Sequence, residues 1–164
     1  MRVSEWFGKL RGTGLFPVVM AGIGAALAIG AMEWFSMQTR FPLWAVPFAT
    51  SIVLVMGSPE TRPAQPRALI GGHLVSTLVG LLVLAATGPG ALAAAMAVGI
   101  AVVAMQLTGT FHPPAGINPL IVVANGLGWS FLVYPVALGA ITLALFAWFW
   151  HRVVRGHAWP ERWY

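Results

Sequence analysis

The chain has 164 residues, 59% of them hydrophobic and 8% charged, where soluble domains carry about 25% charged residues, so it reads as a polytopic membrane protein. The absence of cysteine excludes disulfides, thiol catalysis and cysteine-ligated metals. The formal charge of +5 comes from Lys and Arg at segment ends rather than from a basic face interleaved with aromatics, so no nucleic-acid partner is expected and the basic excess is assigned to membrane topology.

In chain order, "MRVSEWFGKLRGTG" opens onto an apolar run that reaches Glu33-Trp34 without a small-x-small cleavage site. It is therefore read as a retained first helix and not as a signal peptide. Breaks then separate long apolar segments near 15–36, 68–87, 91–109 and 128–150 from shorter ones at 42–57 and 115–126. The order is long, short, long, repeated once, and "TSIVLVMG" (50–57) can be laid over "PLIVVANG" (119–126). The expected fold is an all-α integral membrane protein with four long transmembrane helices and two short or broken membrane segments. These form one membrane domain over 1–164, whose halves 15–87 and 91–150 are candidates for a 3+3 inverted repeat.

If all six segments cross from a cytoplasmic N-terminus, Arg2, Lys9, Arg11, Arg62, Arg67, Arg152, Arg155 and Arg162 lie inside and Arg40 outside. If the short pieces dip in and return, Arg62 and Arg67 join Arg40 outside. The positive-inside rule favours six crossings, with both termini cytoplasmic in an inner (plasma) membrane of bacterial type. Length opposes this: a helix over 115–126 extends only about 18 Å at about 1.5 Å per residue, so part of that crossing must be non-helical. The C-terminal "WFWHRVVRGHAWPERWY" has the aromatic and basic mixture of a membrane interface, which places His151 and His157 toward solvent and headgroups. Small residues four apart, Gly22-Ala26-Gly30, Gly72-Ser76-Gly80 and Ala95-Gly99, offer faces for close helix packing. They exceed the needs of one six-segment bundle, so a homo-oligomer, dimer or trimer, is expected.

The stretch "HPPAGINPLIVVANG" (112–126) is hostile to regular helix. Pro113 and Pro114 lack backbone donors and push the residues before them toward extended geometry. Asn118 is a favoured N-cap, Pro119 suits a first helical position, and Asn125-Gly126 supplies a left-handed stop, so 118–126 reads as a capped half-helix. Irregular backbone at membrane depth belongs where protein buries it or where it lines a watery cavity. The half-helix start presents free N–H groups and a positive end to an anion. His112 beside it changes charge near physiological pH. Binding an anion favours the protonated ring, so anion and proton are expected to be coupled.

"LTGTFHPPAGINPLIVV" resembles the signature of the HPP family of integral membrane proteins, and "PAQPRALIGGH" (63–73), with Arg67 and His73, resembles that family's second marker. The resemblance covers nearly the whole chain. It implies a transporter-like protein, usually described with four spans, some of whose plant and cyanobacterial relatives are associated with nitrite. Many members carry a charged residue where this chain has Gly109.

The expected function is a membrane transporter or channel for a small, nitrite-like anion, proton-coupled, with membrane lipid as its surroundings. The alternative is a non-transporting membrane assembly or a lipid-binding protein. The candidate substrate-binding residues are Thr110, His112, Pro113, Pro114, Gly116 and Asn118 of the broken segment, with Arg67, His73 and Gln106. Thr108 is expected to back-bond its own helix. No cofactor is expected. The four histidines show no two-ligand spacing on one helix, so no metal is assigned. An enzyme is not expected, because the chain has no aspartate, no phosphate-loop lysine motif, and only Ser76 near His73 as a nucleophile and base without an orienting acid.

Overall fold

The computed structural model describes residues 14–39 and 46–163. Arg2, Lys9, Arg11 and Arg40, the part of the charge tally resting on them, and the first residues of the 42–57 segment lie outside the described residues. Every regular element among the described residues is helical: α1 (Leu15–Thr39), α2 (Ala49–Gly57), α3 (Pro66–Thr87), α4 (Ala91–Leu107), α5 (Ile117–Asn125) and α6 (Leu132–Val154), with single 3-10 turns at Arg62–Ala64 and Pro113–Gly116. Three of them are long and apolar enough to cross a membrane, Leu15–Gln38, Pro66–Thr87 and Leu132–Val154; the expected fourth, Ala91–Leu107, is shorter at 17 residues.

Local signals fix most boundaries. Pro66 occupies the first position of α3, where its missing N–H costs no helical bond. Gly126, at φ 59° and ψ 39°, ends α5 in the left-handed conformation that favours glycine. Helix α6 bends near its start: Tyr134, which precedes Pro135, lies at φ −133° and ψ 109°, the extended geometry that proline imposes on its neighbour.

The two short helices, of 9 residues each, pack along different parts of α3. In α2, Ser51 reaches His73, the eighth residue of α3, whereas the Val55 and Met56 carbonyls at its other end accept bonds from His151 and Arg155 at and just beyond the end of α6. In α5, Asn118 meets the same His73, and Ile121 and Val122 run on to pack with Leu81 farther along α3. The first turns of α2 and α5 therefore meet at one level, and the helices run from it in opposite directions.

Packing corrects several expectations. Helix α1 buries Met20, Gly24, Ala28 and Met32 against α2 and α6, with Trp150 Nε1–H donating to the Met20 carbonyl at 3.2 Å. Gly22, Ala26 and Gly30 are exposed, and among the described residues nothing lies within 4 Å of a Cβ built on either glycine. The same holds on α4, where Ala93, Ala97, Ala101 and Met105 are buried while Ala95 and Gly99 are exposed. The larger neighbours Trp150 and Phe146 on α6 select the flanking face of α1. His151 is fully buried rather than solvent-facing. The tail folds back so that His157 N–H donates to the His151 carbonyl, and Trp159 packs against the imidazole at 6.0 Å between ring centroids. His157 itself is exposed, as expected.

Candidate functional site

The third small-residue face, on α3, is the one that builds the site. A Cβ at Gly72 would stand 2.6 Å from the His112 Cβ and 2.8 Å from the Thr110 carbonyl oxygen, and one at Gly80 would stand 2.7 Å from the Pro119 Cα. Only glycine lets the broken segment lie this close against α3. His112 is extended at φ −128° and ψ 95°, and Pro113–Gly116 form a 3-10 turn that runs directly into α5. Asn118 does not cap this helix, contrary to the sequence expectation: the helix starts at Ile117 after Gly116 with no side-chain cap. The preceding turn, begun by two prolines without N–H groups, already absorbs the helix start, so the Asn118 amide is released to cross to α3.

Four buried side chains and one carbonyl then form an unbroken chain. His112 Nδ1 lies 2.6 Å from the Pro63 carbonyl oxygen and His112 Nε2 lies 2.9 Å from Ser51 Oγ. Ser51 Oγ is also 2.9 Å from His73 Nε2, and His73 Nδ1 is 3.0 Å from Asn118 Nδ2. Asn118 Nδ2 further donates to Thr77 Oγ1 at 2.8 Å, and Thr77 gives its own hydrogen to the His73 carbonyl at 2.7 Å. His73, His112, Ser51 and Asn118 are each fully buried. Among the described residues, Asn118 Oδ1 is buried with no hydrogen-bond partner.

Partner chemistry fixes the hydrogens. A carbonyl only accepts, so His112 carries its hydrogen on Nδ1 and presents a bare Nε2. The Asn118 amide donates, so His73 accepts at Nδ1 and carries its hydrogen on Nε2. Ser51 accepts from His73 and donates to His112. All the bonds run head to tail from Asn118 to Pro63.

Pro63 also lines a cavity of about 470 Å³, which we call the vestibule. Its wall includes Arg62, Arg67 and Arg162 with Gln65, Gln106 and Gly109, and no carboxylate side chain among the described residues. Gln65 fixes one side of it: its Oε1 accepts from the Glu161 and Arg162 backbone N–H groups, and its Nε2 donates to the Pro59 carbonyl. Arg67 donates to the Thr108 carbonyl at 3.0 Å. A second cavity of about 400 Å³, between α1 and α6, is apolar and lined by residues such as Met32, Phe35, Leu138 and Phe146.

The sequence-selected residues therefore fall into groups. His73, His112 and Asn118 sit in the buried chain, and Arg67 and Gln106 line the vestibule. Pro113, Pro114 and Gly116 shape the turn without lining either cavity. Thr110 is buried against Gly71 and Gly72, its hydroxyl bonded to that of Thr108, which back-bonds Ala104 at 2.8 Å as expected. Sequence reasoning read "TRPAQPR" (61–67), which holds Gln65, as a candidate anion vestibule, and it missed Ser51 and Arg162. The serine's only local signal is a hydroxyl at the start of a short apolar segment. Among the described residues no group of three or more His or carboxylate side chains could hold a metal ion.

The profile for "HPP, transmembrane region" matches residues 12–160. The chain belongs to the HPP transmembrane family. Two transmembrane proteins of Dictyostelium discoideum are similar to this HPP chain, at 36% and 34% identity over 125 residues, 71% of the chain in each case. The match spans 40% and 44% of their lengths. No solved structure matches. The two markers of the resemblance are the two sides of the site: 63–73 supplies Pro63, Arg67 and His73, and 110–118 supplies His112 and Asn118.

Proposed function

We propose that this chain is a membrane transporter or channel for a small oxyanion of the nitrite type, proton-coupled through His112, and not an enzyme. One observation carries the reading: a vestibule walled by three arginines, with no carboxylate side chain among the described residues, shares Pro63 with the buried ring of His112. Fixed positive charge in a concave site concentrates anions, and the imidazole behind it can take the compensating proton. The face bearing Arg62, Arg67, Arg155 and Arg162 is read as cytoplasmic by the positive-inside rule. The opposed half-helices α2 and α5 are read as equivalent members of two inverted three-segment halves, the arrangement in which transporters bind at the midplane. Homo-oligomerisation through the bare Gly22-Ala26-Gly30 and Ala95-Gly99 faces belongs to the same proposal.

The contrasting reading, a lipid-binding or purely structural membrane protein, draws on the apolar cavity between α1 and α6. Purified protein in liposomes separates the two. The transport reading expects saturable uptake of nitrite, nitrate or formate above empty vesicles. No such flux from folded protein would leave the lipid-binding reading.

A further inference from the structure

The buried chain has a property that a purely structural histidine pair does not require: every hydrogen bond in it points the same way, and one end carries an amide whose oxygen is unused. We infer that Pro63, His112, Ser51, His73 and Asn118 form a proton relay that takes up a proton at His73 Nδ1 and places its charge on His112, beside the vestibule. The inference deepens the anion-transport reading of the same site and rests on it for its use.

The transfer balances with water as the carrier. The Asn118 amide first swings its Nδ2 off His73 Nδ1, and a hydronium ion then gives one proton to that nitrogen and leaves as water. His73 passes its Nε2 hydrogen to Ser51 Oγ, and Ser51 passes its own hydrogen to His112 Nε2. Three protons each move across one hydrogen bond; His73 and Ser51 end neutral, and His112 ends as imidazolium, still donating from Nδ1 to Pro63. His73 then presents an N–H to the Asn118 amide, where Nδ2 had been donating. A half-turn of that amide offers Oδ1 to the new N–H. Because Oδ1 has no partner in the resting chain, the turn breaks no bond that this oxygen makes. It gives up the Nδ2 bonds to Thr77 and the His73 carbonyl, while Thr77 keeps its own bond to that carbonyl. The charged groups lining the vestibule beside Pro63 are Arg62, on the turn carrying Pro63, Arg67, on the helix carrying His73, and Arg162, on the tail. Neither ring accepts or donates a hydrogen bond to a carboxylate among the described residues. Proton and anion thus meet at His112, the proton arriving through Ser51 and the anion from the vestibule.

The test uses Ser51, whose hydroxyl joins the rings. In liposomes with a nitrite gradient and an internal pH dye, empty vesicles subtracted, the wild type is expected to move protons with nitrite. Ser51→Ala should lower proton movement by about tenfold or more, the coupled nitrite flux falling with it, and Ser51→Thr should restore both. Unchanged proton movement in Ser51→Ala overturns the relay. If Ser51→Ala does not fold, His73→Gln interrupts the same path one bond deeper and is read in the same way. A cargo-free measurement stands beside these: with four histidines in the chain, ¹⁵N-histidine spectra assigned through His73→Gln and His112→Gln should show His112 protonated on Nδ1 and His73 on Nε2. Any other pair of tautomers overturns the relay. If the wild type moves no anion at all, the transport reading falls and the tautomers alone decide the relay.

Discussion

Gly109 stands in the vestibule wall at φ 66°, and a Cβ there would lie 3.4 Å from an Arg67 guanidinium nitrogen. A carboxylate at this position would pair with Arg67 and cancel part of the field that draws anions in. Gly109→Asp, which the left-handed backbone tolerates, is expected to raise KM for nitrite by roughly tenfold with kcat little changed; the isosteric Gly109→Asn should not. Gly72 makes a different prediction. Its missing Cβ is the space occupied by His112 and the Thr110 carbonyl, so Gly72→Ala is expected to destabilise the protein by about 1–3 kcal/mol. Gly99→Ala, in open space, should stay within about 0.5 kcal/mol of the wild type, and thermal unfolding in mild detergent compares them. His112→Gln should leave a folded protein whose nitrite uptake no longer rises as pH falls, because the titrating ring is gone while hydrogen bonding is kept. His112, His73 and Asn118 were legible as residues because buried polar groups stand out in an apolar chain. Their partners were not: Ser51 lies 22 residues from His73 and 61 from His112, and no local period reports so distant a pairing.

At the scale of elements, α2 and α5 decide the architecture. The short lengths and the proline-rich entry to α5 marked them in the sequence, and the left-handed stop at Gly126 follows from local chemistry alone. The Asn118 cap did not follow, since an asparagine ahead of a helix can bond its own backbone or a neighbour, and only the tertiary packing of α3 decides which. The helix faces were half legible for a similar reason. A small-residue spacing says where two backbones can approach, while the partner's bulk decides whether they do: Pro119 and His112 fill the α3 face, and Trp150 selects the flank of α1. Because Gln65 binds the tail at Glu161 and Arg162, the loop after α2 and the tail after α6 share one face. Single cysteines at Glu60 and His157, introduced into a chain that has none, should therefore react with an impermeant thiol reagent from the same side, and one at Pro89 from the other. Labelling of Glu60→Cys and His157→Cys from opposite sides would contradict this fold.

At the scale of the whole molecule, the long exposed apolar faces of α1 and α4 meet either lipid or another copy. The proposed oligomer predicts that mass measurement in mild detergent shows a dimer or trimer, and that Gly22→Leu with Gly30→Leu, at positions where an added Cβ meets nothing within 4 Å among the described residues, shift the population to monomer. The meeting of α2 and α5 at His73 has a consequence for how tightly two flows can be tied together. Both helices present their N-terminal turns to that level, and each carries roughly half a positive charge there. An added proton arriving alone meets two like-signed helix ends, whereas a proton accompanied by an anion adds no net charge. On the transport reading, this makes slippage the unfavourable path: vesicles containing the protein but no permeant anion should hold a pH gradient under an imposed potassium diffusion potential as long as empty vesicles do, and should lose it when nitrite is added.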